Sequence, residues 1–211
     1  MMKKALFTFL IAALAGVQVM AQTQPQPQQP AKPQGTGQGA PVVTPRDTPG
    51  TTHPVKWYTL EEALELQKKA PKKILIDAYT HWCGPCKKLK NETLANANVA
   101  KYINDNFYAV AFDCETPDTV IFKGVTYTNP EYVPNKQGRN GVNQFSRFLG
   151  VMAYPTLVFM DEKANIVDRM VGYKTPSAIQ VNLFYVAEEA YKTHNTPEKR
   201  VEYETSFKPT W

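Results

Sequence analysis

Two cysteines separated by Gly84-Pro85, Cys83 and Cys86, are the residues of this 211-residue chain best placed to do chemistry. They follow Lys73-Ile74-Leu75-Ile76-Asp77-Ala78-Tyr79, a β-branched, apolar run with the composition of a strand buried on both faces. Pro85 favours a helix start, and Lys87 to Leu94 continue the helix. The first turn of a helix offers free amide donors and the positive end of the macrodipole, so a thiolate there is stabilised and its pKa falls. Cys83, the outer residue, is therefore the expected nucleophile. Cys86, one turn in, comes close enough to pair with it, Gly84 and Pro85 shaping the turn, and the pair can switch between dithiol and disulfide. Asp77 lies inside the apolar strand, where a carboxylate is costly and calls for a reason.

Cys114 is the odd thiol, just past a predicted strand end, and reads as a small buried hydrophobe in preference to a second redox site. His81 could tune Cys83, but a solvated histidine outside the pair is the preferred reading. His81, Cys83, Cys86 and Cys114 amount to four potential zinc ligands. Three bunched ligands and one distant thiol match no zinc module, so no metal is expected, and no cofactor is called for.

The elements that must hold the pair follow from periodicity and punctuation. Thr59-Leu60-Glu61-Glu62 is a capping box opening a helix that Pro71 ends. After the cysteine helix, a second helix fits Asn98 to Asn106 and a strand fits Phe107 to Asp113. Residues 115–143, rich in Pro, Gly, Asn and Thr, read as an inserted loop or hairpin, with short strands at Val120 to Phe122 and Val125 to Tyr127. A helix from Asn143 to Leu149 precedes two strand-like runs, Thr156 to Met160 and Ile166 to Gly172, spaced as an antiparallel hairpin. Pro176 opens a helix reaching about Lys192, and 193–211 form a C-terminal extension, either a helix packed on the domain or a partner-binding segment, with packing preferred. This order predicts an α/β fold with a central mixed β-sheet flanked by helices.

Residues 1–21 read as a signal peptide: Lys3 and Lys4 precede an apolar run from Ala5 to Val19, and Val19-Met20-Ala21 ends on small residues. The run is shorter than the roughly 20 residues that span hydrocarbon, which argues against an uncleaved anchor. A periplasmic or secreted location, where disulfides persist, is the expectation. Residues 22–54 hold eight prolines, seven glutamines and four glycines and read as a disordered tether, leaving a folded domain over 55–192. The 24 basic and 19 acidic residues give +5, or +3 without Lys3 and Lys4 (22 minus 19), and no basic cluster marks a nucleic-acid footprint. A monomer is expected.

Trp82-Cys83-Gly84-Pro85-Cys86-Lys87, with Asp77 six residues before Cys83 and Tyr154-Pro155-Thr156 downstream, resembles the thioredoxin superfamily over roughly residues 57 to 190. The nearest subgroup is the secreted, bacterial thioredoxin-like proteins. The resemblance implies a thioredoxin fold and a thiol-disulfide oxidoreductase. It makes Asp77 the buried carboxylate that takes the proton of Cys86, and it makes Pro155 a cis proline exposing the Tyr154 backbone to substrate. It also sets Trp82 beside the nucleophile as a docking surface for an extended peptide, with Tyr154 equally readable as docking or core. Ala111 stands where many relatives carry a lysine beside the aspartate. The Gly-Pro pair is associated with reductants in the family, implying disulfide-containing protein substrates and an electron donor at the membrane or envelope. The rival readings are a disulfide oxidase or isomerase and a non-catalytic binding or chaperone module.

Overall fold

A computed structural model describes residues 54–211; the expected leader and all but the last residue of the expected tether lie outside the described residues. In chain order the elements are β1 (Trp57–Tyr58), α1 (Leu60–Lys69), β2 (Lys73–Tyr79), α2 (Gly84–Lys88), a π-helical segment (Leu89–Leu94), α3 (Ala97–Asn106) and β3 (Phe107–Asp113). They continue with β4 (Val120–Phe122), β5 (Val125–Tyr127), α4 (Gln144–Phe148), β6 (Thr156–Met160), β7 (Ile166–Val171), α5 (Pro176–Ala187), a 3-10 turn (Ala190–Lys192) and α6 (Pro197–Ser206). Five strands form one sheet in the order β1-β3-β2-β6-β7. β1 and β2 run parallel to β3, β6 is antiparallel to β2, and β7 is antiparallel to β6. The fold is the mixed α/β sheet that the element order predicts.

At the start of α1 the Thr59 hydroxyl accepts from the Glu62 amide at 3.0 Å, and the Glu62 carboxylate accepts from the Thr59 amide at 2.8 Å. Both amides would otherwise be orphaned. Thr59→Ala removes one of these bonds, and urea titration is expected to show a loss of about 1 kcal/mol in unfolding free energy.

Strand β2 is buried from Lys73 to Ala78 because apolar layers cover both faces of the sheet. Leu75 packs with Leu89, Leu94, Ile103, Leu157 and Leu183 on one side. Ile74, Ile76 and Ala78 pack with Leu60, Val110, Phe145 and Val158 on the other. Strand alternation therefore turns Asp77 to the Leu75 side, the side covered by the helix that carries Cys86.

Three features differ from the sequence reading. β1 pairs Trp57 and Tyr58 with Ala109 and Val110 at a sheet edge, and two residues are too few to show a period. α5 stops at Ala187, short of Lys192, because Glu189 adopts a left-handed conformation with φ of 60° that breaks the helical path. The cysteine helix is α-helical only to Lys88 and widens to π-helix over Leu89–Leu94.

The 193–211 extension packs on the domain. The Arg200 guanidinium lies 3.7 Å from the Tyr185 ring centroid and reaches Asp168 of β7 at 3.0 Å. The Trp211 ring sits against Tyr102 and Phe184, and its carbonyl accepts from Gln180 Nε2 at 2.6 Å.

The 115–143 segment holds the β4–β5 hairpin, whose Phe122 and Tyr127 rings pack on Phe145 and Phe148. Asn129 pins the remainder: its Nδ2 donates to the carbonyls of Glu115, Thr116 and Gly141 at 3.3, 3.1 and 2.8 Å. The chain closes so tightly that a Cβ at Gly141 would lie 2.4 Å from the Glu131 backbone.

Candidate active site

Cys83 is the N-cap of α2, with extended φ and ψ of −76° and 106°, and its Sγ accepts from the Cys86 amide at 3.1 Å. Pro85 stands in the first helical turn, where a missing N–H leaves no bond unmade. Cys83 and Cys86 are joined in a disulfide with Cα atoms 5.3 Å apart. Both cysteines are buried, whereas Gly84 and Pro85 are exposed.

Asp77, on the strand that leads into the pair, is only 4% exposed, and its Oδ1 has no hydrogen-bond partner. Burial pushes its carboxyl up to about 7, with the Lys90 ammonium pulling in the opposite direction. Its register partner on β3 is Ala111, so the strand contributes no charge there. The positive charge comes instead from Lys90 of the π-helical segment, one turn beyond Cys86. A carboxyl that titrates near neutrality can both take and return a proton under physiological conditions.

Trp82 is clasped by the inserted segment. Its Nε1 donates to the two carboxylate oxygens of Glu115 at 2.9 and 3.0 Å, and the Asn140 amide donates to Glu115 Oε1 at 2.9 Å. The Arg139 guanidinium lies 4.6 Å from the Trp82 ring centroid, and the Tyr154 ring meets Trp82 edge-on at 5.8 Å. The Tyr154–Pro155 peptide bond is cis, and the Pro155 carbonyl accepts from the Gly172 amide at 2.8 Å. Cys83, Cys86, Trp82 and Tyr154 are thus brought together from the α2 turn and the segment before β6, while Asp77 lies on the strand that leads into that turn.

Glu115, Arg139 and Asn140 have no part in the sequence reading. The composition of 115–143 marks a loop, and a loop carries no periodicity that reveals what it touches. Glu115→Ala deletes three hydrogen bonds to a charged acceptor buried to 8% exposure. Urea titration is expected to show a loss of about 2 kcal/mol, and limited proteolysis faster cleavage between Thr128 and Asn143.

Cys114 is fully buried, and burial, reinforced by Asp113 and Asp77, pushes its thiol up to about 12. It is protonated at neutral pH and is not a nucleophile there. The His81 side chain is 80% exposed, with Nε2 3.1 Å from Asp113 Oδ2. Among the described residues, no three His, Cys, Asp or Glu side chains gather as metal ligands.

The family described as "Thioredoxin-like domain" matches residues 60–187. No curated protein matches the chain. Solved structures similar to it include a thioredoxin-fold protein from Helicobacter pylori, at 15% identity and TM-score 0.49, over 64% of this chain and 81% of that one. A thioredoxin from Thermus thermophilus matches at 21% identity and TM-score 0.47, over 63% and 86%. A putative disulphide-isomerase from Bacteroides thetaiotaomicron matches at 27% identity and TM-score 0.44, over 63% and 91%.

Proposed function

Because this chain belongs to the thioredoxin-like domain family, we propose that it is a thiol-disulfide oxidoreductase that reduces protein disulfides through Cys83 and Cys86. The observation that carries this reading is the Cys83–Cys86 disulfide at the start of α2, backed by a buried carboxyl titrating near 7. In the reduced protein the Cys83 thiolate attacks a substrate disulfide, so that one S–S bond forms, one breaks, and a substrate thiolate leaves. Cys86 gives its proton to Asp77 and attacks Cys83 Sγ, expelling the second substrate thiolate. Two electrons have then passed to substrate, and the protein holds the disulfide seen here. A dithiol donor must restore the reduced form.

The leader-like residues 1–21 support a place outside the cytosol, with that donor at the membrane or envelope. The Gly84-Pro85 pair supports the reducing direction over oxidation or isomerisation. Equilibration in dithiothreitol or glutathione buffers, followed by Trp82 fluorescence, tests the direction. A potential near the roughly −270 mV of thioredoxin is expected, and a value approaching about −120 mV would make the protein a disulfide donor.

A further inference from the structure

The inserted segment does more than cover Trp82, because it sets a charge on the ring of the residue that precedes Cys83. The acids Asp77, Asp113 and Glu115 are each buried or paired. Asp77 is buried on β2, Asp113 faces His81 at 3.1 Å, and Glu115 is bound to Trp82 and the Asn140 amide. Two cations are not ion-paired. Arg139 is exposed and lies on the ring of the residue preceding Cys83, and Lys87, also exposed, directly follows Cys86. Neither forms an ion pair or a side-chain hydrogen bond among the described residues, whereas Lys88 is 3.9 Å from Glu92 and lies over the Tyr173 ring.

A guanidinium lying over an indole ring is held there by cation-ring attraction, while N–H donors without a protein partner stay free to bind a carboxylate. Arg139 is therefore placed in advance on the aromatic that borders the nucleophile. Lys87 adds charge of the same sign on the other side of the motif.

We propose that Arg139 is a specificity residue, favouring disulfides whose flanking sequence carries aspartate or glutamate. This deepens the reductase reading and rests on it. The substrate carboxylate pairs with the Arg139 guanidinium as the peptide docks, so the contact acts on binding and leaves the sulfur exchange unchanged.

The test uses two cyclic peptides of equal length, each closed by one disulfide, one flanked by aspartates and the other by lysines. The protein is kept reduced by dithiothreitol, and initial rates are taken over a range of peptide concentrations. The acidic peptide is expected to show a KM about three- to tenfold lower, a preference that shrinks at 0.5 M salt because the contact is exposed. Arg139→Gln is expected to remove most of that preference and Arg139→Lys to retain part of it. A residue that merely steadied Trp82 would instead change the rates for the two peptides equally. Reduction of both peptides by the unaltered protein with equal KM overturns the inference and leaves the oxidoreductase reading standing. Reduction of neither above the rate with dithiothreitol alone overturns both.

Discussion

Cys83→Ser is expected to abolish disulfide reduction, lowering the rate at least about a thousandfold, whereas Cys86→Ser is expected to stop the reaction one step later with substrate still attached. The asymmetry follows from position. Cys83 caps α2, with its sulfur accepting the Cys86 amide, so negative charge developing on it meets an oriented donor and the positive helix end. A serine hydroxyl fits the cap but does not ionise near neutral pH. Cys86 sits one turn in and reaches the Cys83 sulfur, the position of the resolving thiol in the proposed cycle. Mass spectrometry of the Cys86→Ser variant incubated with a disulfide peptide should find the mixed disulfide on Cys83. A double Cys83→Ser, Cys86→Ser variant that reduced substrate at the native rate would sink the oxidoreductase reading and favour a binding module.

Asp77→Asn is expected to stabilise the oxidised protein at alkaline pH while slowing the resolving step. Burial raises the Asp77 carboxyl from 3.8 to about 7. Between these values the folded state holds a proton that the unfolded state has released, so stability declines as pH rises from about 4 to about 7 and levels off above. A rise of about three pKa units corresponds to a penalty of about 4 kcal/mol once the carboxylate is ionised. Asparagine keeps the shape and cannot ionise, so the variant and the parent should agree near pH 4 and differ by up to about 4 kcal/mol at pH 8.5. Urea titrations at the two pH values check this, and an equal gain at both would show that ionisation is not the cause. In the proposed cycle the same substitution removes the proton acceptor for Cys86, and release of the mixed disulfide should slow about a hundredfold. Stability gained and activity lost at one residue would be the mark of a carboxyl kept in the core for its chemistry.

The cysteine pair was legible because it is local. Four consecutive residues set the cap, the turn and the spacing of the sulfurs, and the strand before them is recognisable from composition alone. The limits of β2, β3, β4, β5 and β6 agree with the runs read from sequence, since each is a stretch of β-branched or aromatic residues closed by turn formers. The Asp77 environment was half legible. The sequence shows an acid among apolar neighbours, and alternation with Leu75 places it on the helix side, but the partner charge on Lys90 depends on how the π-helical segment lies over the sheet.

The cysteine pair with its spacing, the acid inside an apolar strand and the mixed sheet that carries them were readable from the chain alone, because each depends on neighbours within one helical turn or on strand periodicity. The surroundings of Trp82 come from tertiary contacts. Glu115, Arg139 and Asn140 lie 33 to 58 residues from it in the chain and reach it through a segment with no hydrophobic period. Asn129 and the close approach at Gly141 fix the course of that segment. Contacts made by single polar side chains across such separations leave no pattern in the chain, since hydrogen bonds and cation-ring contacts depend on where loop atoms come to rest.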